Sequence, residues 1–161
     1  MELNKLSWIH RGGVINNYYL PESNGELQDV INNLNKVQAQ YLVVGHTSNI
    51  YFKNSFNIQN LVQTRKLTNY TILGNQVECE CGVHVRQLAR DMVKMGYVGF
   101  EGLVDLPGTI GGAVVNNSGC YGCQVSDLLK EVRLLQPNGA VKSLSHRKCP
   151  KPGSQRILSS R

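Results

Sequence analysis

The chain has 161 residues, of which 41% are hydrophobic and 17% are charged, as is typical of one globular domain. Five of its 17 basic residues and none of its 11 acidic residues lie in segment 146–161, so the rest of the chain is almost neutral. No apolar run approaches the roughly 20 residues of a membrane span, and the N-terminus lacks the apolar core of a signal peptide. We therefore expect a cytoplasmic protein that binds no membrane.

The first half of the chain predicts alternating strands and helices. Residues 14–20 predict a short strand, and apolar positions spaced by three and four over 25–39 predict a helix capped by Ser23 or Asn24. A continuous apolar run at 41–44 indicates a buried strand. Further strands are predicted at 50–52, 61–64 and 70–73, and Gly74 with Asn75 predicts a hairpin turn into a strand at 77–81.

The second half begins with a helix predicted over 84–95, which Gly96 ends. After a long glycine-rich region, strands are predicted at 131–135 and 141–144 around a Pro-Asn-Gly turn. This order of elements indicates an α+β or mixed α/β fold. Segment 146–161 has no periodicity and one sign of charge, so we expect a disordered tail, or one foreign to the native gene. It carries no aromatic platform for nucleic acid, and we expect no nucleic-acid binding.

The five cysteines are Cys79, Cys81, Cys120, Cys123 and Cys149. An odd number without a secretion signal argues against a disulfide framework. Cys79 and Cys81 alternate with acidic residues, which predicts a strand with both thiols on the buried face. Cys120 and Cys123 resemble a redox CxxC motif by spacing alone. Zinc binding by these four cysteines is the less favoured alternative.

Two glycine-containing segments carry the functional signal. Eight of the 16 glycines lie in segment 96–122, which indicates backbone pressed against a phosphate or a flat cofactor. Within it, Pro107 fixes φ, and Gly108 with Gly111 and Gly112 predict sharp turns. Residues 45–49 follow a predicted strand and offer successive N–H groups, with the hydroxyls of Thr47 and Ser48, to a pyrophosphate. An ordinary polar turn is the alternative, and neither segment matches the Rossmann or P-loop pattern.

Several motifs together resemble those of the UDP-N-acetylenolpyruvoylglucosamine reductase family, also called UDP-N-acetylmuramate dehydrogenases. VGHTSN at 44–49 resembles the family's LGxGSN loop, and GFEGL at 99–103 its G-L/F-E-x-L segment. LPGTIGGA at 106–113 is similar to IPGTVGGA, and NSGCYG at 117–122 to NIGAYG. The motifs occur in the family's order over about 10–145. The resemblance implies the two-subdomain, α+β FAD-binding fold of vanillyl-alcohol oxidase and its relatives.

The resemblance also implies function. The family passes hydride from NADPH to FAD and then to the enolpyruvyl group of a UDP-sugar, a cytoplasmic step in peptidoglycan precursor synthesis. Carried over by motif, residues 45–49 contact the pyrophosphate, residues of 108–113 line the pyrophosphate and the ring, and residues of 117–122 shape the flavin side. The implied FAD-binding residues are Gly45, His46, Thr47, Ser48, Asn49, Gly108, Thr109, Gly111, Gly112, Ala113, Asn117, Gly119, Tyr121 and Gly122.

The chain departs from the family pattern in ways that bear on activity. His46 and Thr47 stand where the family has glycine or a small residue, and Cys120 replaces an alanine. The family's YR-x-S motif is absent, and Arg147 lacks its flanking tyrosine and serine. We therefore assign no catalytic residue and expect an FAD-binding domain at 10–145 without the substrate-binding domain, inactive as a reductase by itself. A non-catalytic flavin-binding or scaffold relative is the alternative.

Overall fold

A three-stranded parallel sheet lies at the centre of the computed structural model, which describes residues 2–145. Its strands are β1 (Ile15–Tyr19), β2 (Tyr41–Val44) and β3 (Ile58–Gln63), in the order β1–β3–β2. Strand β3 is central, and all its residues except Gln59 are buried. Central strands of parallel sheets are covered on both faces, which explains this continuous burial. The predicted tail at 146–161 lies outside the described residues.

Helix α1 (Asn24–Lys36) connects β1 to β2, as the apolar spacing predicts. Ser23 caps it by accepting a hydrogen bond from the Glu26 N–H at 3.1 Å. Ile31 and Leu34 are buried against Val62 of β3, so the apolar side of the helix covers one face of the sheet. The predicted helix and its Ser23 cap are confirmed.

A Ser23→Ala variant is expected to be less stable by about 1 kcal/mol, because the Glu26 N–H loses its acceptor. Urea unfolding followed by circular dichroism measures this difference. Ser55→Ala is the matched control, since Ser55 is exposed and its change should lie within about 0.5 kcal/mol. Equal stability of the two variants would contradict a capping role.

The hairpin predicted at 70–81 and the helix predicted at 84–95 are also present, with the second strand of the hairpin ending at Cys79. Strands β4 (Tyr70–Leu73) and β5 (Gln76–Cys79) form an antiparallel hairpin whose turn contains Gly74 at φ +63°. Helix α2 (Val85–Lys94) follows, and Gly96 lies just beyond its end at φ +83°. Its buried face packs on β4 and β5 through Leu88 and Met92.

The glycine-rich region is more regular than a loop. It contains a 3₁₀ turn (Glu101–Leu103), α3 (Ile110–Asn116), the two-residue strands β6 (Gly119–Cys120) and β7 (Cys123–Gln124), and α4 (Val125–Leu128). Strands β8 (Glu131–Leu135) and β9 (Val141–Ser145) form a final hairpin. Its turn rests on α1, where the Gln28 amide donates to the Gly139 carbonyl at 2.7 Å. The α+β class is confirmed.

Three local predictions are wrong. Residues 50–52 form no strand, because the Ile50 N–H donates back to the Thr47 carbonyl. The apolar side chain of Phe52 packs in the core from a loop. Strand β2 lies at the sheet edge and is only partly buried, with Val43 46% exposed. The third error concerns Gly111 and Gly112, which lie in α3 rather than in turns.

The predicted domain boundary at residue 10 stays a prediction. Leu3 lies N-terminal to it and is fully buried in the same cluster as Ile15 and Leu61, so residues before 10 contribute to the core. Among residues 2–145, no helix has both the length and the apolar character that a membrane crossing needs.

Candidate functional site

The two segments selected from the sequence meet at the carboxyl end of the parallel sheet. Loop 45–49 leaves strand β2, and the segment before α3 lies against it. A Cβ atom placed on Gly45 would collide with the Thr109 hydroxyl, and one placed on Gly108 would lie 2.9 Å from the Ser48 Oγ. A backbone can lie this close to a neighbouring side chain only where glycine stands at the contact. The structure therefore brings Gly45, Ser48, Gly108 and Thr109 together.

Loop 45–49 presents five successive backbone N–H groups that have no hydrogen-bond partner among residues 2–145. The next amide, that of Ile50, is already paired with the Thr47 carbonyl. Thr47 adopts φ +56°, and a left-handed residue within such a run is typical of the concave backbone nests that bind anions. Unpaired donors in a half-buried loop need an acceptor, so the loop fits a phosphate group.

Interactions on the inner side hold the loop in place. Gln63, at 1% exposure, donates from Nε2 to the Gly45 carbonyl at 2.9 Å and accepts from the Tyr18 hydroxyl at 2.6 Å. The Thr47 hydroxyl accepts from the Trp8 N–H and lies 3.1 Å from the Leu6 carbonyl. It therefore faces the N-terminal segment, and a contact between this hydroxyl and a pyrophosphate stays a prediction.

His46 lies against His84, the residue that precedes α2, with ring centroids 4.1 Å apart. Burial lowers the pKa of His46 below its ordinary value of 6.5, and the charges of His84 and Arg65 lower it further. This tilted ring contact, with 48° between the ring planes, holds the imidazole of His46 beside the N-terminus of α2. The large side chain of His46, at a position where the resembled family has a small residue, is thus accommodated beside His84.

His46 makes stability depend on pH. Its pKa is lower in the folded state, so the unfolded chain binds the proton more readily. The stability that depends on neutral His46 is complete above pH 6.5 and is lost as the pH falls through the lowered pKa. We expect His46→Gln to lose less unfolding free energy than the wild type between pH 7.5 and 5. Urea titrations at both pH values measure this, with exposed His10→Asn as the control. An unchanged pH dependence in His46→Gln would contradict the assignment.

Residues 108–113 divide into two groups. Gly108 and Thr109 lie beside loop 45–49, and a Cβ placed on Gly112 would meet no atom closer than 3.6 Å. The Gly112 N–H has no partner among the described residues. Gly111 instead packs inward: its N–H donates to the Cys81 carbonyl at 2.8 Å, and a Cβ there would lie 2.9 Å from the Cys81 Cβ. Ala113 is 4% exposed and belongs to the core. Any role of these last two residues in binding would be indirect.

The predicted residues of 117–122 form a separate cluster around the β6–β7 hairpin. Asn117 ends α3 at φ +44°, donates to the Gln124 side chain at 2.6 Å and accepts from the Ser126 N–H at 2.9 Å. Its amide therefore fixes the hairpin. Gly119 has no room for a side chain because the Cys123 carbonyl lies against it. Tyr121, 78% exposed, forms the hairpin tip with Gly122.

The sequence interpretation missed Gln63, Arg65 and His84. Gln63 supports the loop, Arg65 brings positive charge to its rim, and His84 contacts the His46 ring. One signal was available for the first two: in parallel sheets the carboxyl ends of neighbouring strands meet at one edge, where ligands bind. Residues 63–65 end the strand beside β2 and so belong to that edge.

The cysteines form no metal centre in the described part of the chain. Cys79, Cys81, Cys120 and Cys123 are reduced and half-buried, and no group of three or more His, Cys, Asp or Glu residues within 2–145 could hold a metal ion. Burial, with a smaller contribution from Cys81, raises the pKa of Cys79 to about 11. Cys149 lies outside the described residues.

Comparison with known proteins gives consistent similarities. Residues 16–145 match the model of a family described as FAD binding domain. The chain is 31% identical over 127 residues to a UDP-N-acetylenolpyruvoylglucosamine reductase from Caldicellulosiruptor bescii, covering 79% of the chain and 40% of the relative. It is 28% identical over 143 residues to the reductase of the same name from Streptococcus pneumoniae, covering 89% and 48%.

Solved structures show a similar fold at lower identity. The structure of UDP-N-acetylenolpyruvylglucosamine reductase from Thermus caldophilus matches with a TM-score of 0.71 at 20% identity, over 92% of this chain and 52% of that one. Cholesterol oxidase from Brevibacterium sterolicum matches with a TM-score of 0.63 at 14% identity, over 80% and 29%. The chain thus spans about half, or less, of the length of these relatives.

Proposed function

Since the chain belongs to the FAD binding domain family, for which FAD is the cofactor, we propose that loop 45–49 and the segment around Gly108 bind the FAD pyrophosphate. The observation that carries this proposal is the run of five N–H groups in the loop that have no partner in the described part of the chain. FAD has the matching chemistry, because its pyrophosphate presents several anionic oxygen acceptors. Gly45 and Gly108 allow the two segments to lie in contact, which would bring donors from both to one group.

The residues of this chain would bind and orient the cofactor. Backbone donors of the loop, with the Gly112 N–H, neutralise phosphate charge without a desolvated cation, and Arg65 adds a positive charge at the rim. Gln63 and Thr47 fix the loop from behind, so little entropy is lost when the ligand binds. The β6–β7 hairpin is our proposed contact for the flavin ring. Bound flavin supplies hydride transfer, and the protein directs it.

For the whole protein we propose the activity of the relatives, a UDP-N-acetylenolpyruvoylglucosamine reductase that uses NADPH and acts in the cytoplasm. Support comes from the relatives' names and from the ordered motifs at 44–49, 99–103, 106–113 and 117–122. No proton donor or catalytic arginine is assigned within residues 2–145. The chain is proposed to be the flavin-binding part of that enzyme.

Binding of FAD is tested by titrating the purified chain and following flavin fluorescence and the thermal midpoint. We expect saturable binding, and at about 100 times Kd a stabilisation of about 2.7 kcal/mol. ADP, which carries a pyrophosphate, should compete with FAD, whereas riboflavin, which carries none, should compete poorly.

The two competitors test whether the site binds the pyrophosphate of FAD. If neither FAD nor ADP binds, or if riboflavin competes as well as ADP, the pyrophosphate assignment fails. The assignment of this chain as the flavin-binding part has its own test, in which the FAD-loaded chain is assayed with NADPH and UDP-N-acetylglucosamine enolpyruvate. We expect no substrate-dependent NADPH oxidation by this chain alone, and turnover would contradict its assignment as only the flavin-binding part.

A further inference from the structure

Cys120 and Cys123 lie directly opposite each other across the β6–β7 hairpin. Tyr121 at φ +50° and Gly122 at φ +80° make the two-residue turn between them, the geometry of a type I′ hairpin. Residues opposite each other in an antiparallel pair have Cα atoms about 4.5–5.5 Å apart and side chains on one face. Disulfides span Cα distances of about 4.4–6.8 Å. The register therefore puts the two Cα atoms within the range that a disulfide spans.

The surroundings of the pair show what its oxidation would change. Both thiols are reduced and half-buried, and both pack on the core cluster that contains Leu103. The Cys123 thiol donates to the Gly99 carbonyl at 3.4 Å. A disulfide carries no S–H, so this bond to the glycine-rich segment exists only in the reduced form. Oxidation would therefore remove one hydrogen bond between Cys123 and the 99–103 segment.

We propose that Cys120 and Cys123 form a reversible thiol–disulfide site that reacts with low-molecular-weight disulfides of the glutathione class. The thiolate of one cysteine attacks a sulfur of the small disulfide and releases one small thiol, which leaves a mixed disulfide on the protein. The second cysteine then attacks the protein sulfur and releases the second small thiol. One S–S bond is broken and one is formed; two protein thiols are oxidised and the small disulfide is reduced to two thiols.

The environment sets the order of attack. Burial raises the pKa of the Cys123 thiol, and the carboxylates of Asp127 and Glu101 raise it further. Cys123 also holds its proton in the bond to Gly99, so it is the poorer initial nucleophile. Cys120 therefore reacts first and Cys123 resolves the mixed disulfide. Oxidation should accelerate as the pH rises, because more thiolate is present.

The other cysteine pair provides an internal control. Cys79 ends β5 and Cys81 lies two residues beyond it, so the two are not paired across a hairpin, and the high pKa of Cys79 suppresses its thiolate. Trypsin separates the two pairs, since Arg86, Arg90 and Lys94 lie between them in sequence.

The test treats the full chain with oxidised glutathione, alkylates the remaining thiols and maps them by mass spectrometry of tryptic peptides. We expect loss of two hydrogens in the peptide that contains Cys120 and Cys123, reversed by dithiothreitol. Cys123→Ser should trap one glutathione on Cys120, and Cys120→Ser should react about tenfold more slowly. A Cys79→Ser/Cys81→Ser variant should oxidise like the wild type.

The wild-type protein tests whether the pair is a thiol–disulfide site, and the variants test only the order of attack. The proposal is refuted if Cys120 and Cys123 remain thiols while other cysteines react. It is also refuted if both carry stable glutathione adducts, since facing thiols would resolve the first adduct. Preferential reaction of Cys123 in the two single variants would overturn the order of attack.

Discussion

A Leu61→Ala variant is expected to lose about 2–5 kcal/mol of unfolding free energy. Leu61 is fully buried in the central strand β3, where the register places it between Tyr18 of β1 and Leu42 of β2. Its side chain packs in the cluster that contains Leu3 and Phe52. Truncation removes apolar contacts and leaves a cavity that three strands cannot collapse to fill. Urea unfolding should show a lower midpoint with an unchanged slope.

Leu73→Ala is the matched control for this effect. Leu73 is also a leucine in a strand, but it is 57% exposed, so its truncation should change stability by less than about 0.5 kcal/mol. If Leu61→Ala and Leu73→Ala were equally stable, the parallel sheet would not be the centre of the core. Because loop 45–49 leaves this sheet, Leu61→Ala should also weaken FAD binding near its thermal midpoint, whereas Leu73→Ala should not.

The fold was predictable where local chemistry determines it. The apolar spacing of α1 and α2, the Ser23 cap and the Gly74 turn are all short-range signals, and the structure has each of them. Residues 50–52 mislead because an apolar triplet is equally suited to a strand and to a loop that covers a core. The pairing of β1 with β3 joins residues 43 apart, and no local pattern encodes it.

The site was predictable in outline. Resemblance and glycine content select loop 45–49 and segment 106–113, and the structure brings them together at Gly45 and Thr109. The orientation of individual groups depends on tertiary contacts. The Thr47 hydroxyl turns inward because the N-terminal segment offers it partners. Gly111 serves close packing against Cys81 rather than a turn, a distinction that composition alone does not make.

A Gly45→Ala variant is expected to bind FAD about 5- to 150-fold more weakly, which corresponds to about 1–3 kcal/mol of overpacking strain. The added Cβ would overlap the Thr109 hydroxyl, and the Thr109 Cβ and Cγ2 would each lie 3.3 Å away. Thr109 is 2% exposed and forms an antiparallel β-bridge with His84, so it has little freedom to move. Loop 45–49 must therefore shift away from Gly108, which separates the two sets of backbone donors. Fluorescence titration with FAD measures the loss.

A double variant distinguishes this contact from general damage to the fold. Thr109→Ala in the Gly45→Ala background removes the hydroxyl and the methyl group that the new Cβ meets, so FAD affinity should recover in part. Gly25→Ala is the control, since the nearest atom to its added Cβ is 3.9 Å away in an exposed helix turn. A negative coupling energy between positions 45 and 109 would locate the loss at the junction of the two segments. Additive effects, or full affinity in Gly45→Ala, would mean that the pyrophosphate is not bound where these backbones meet.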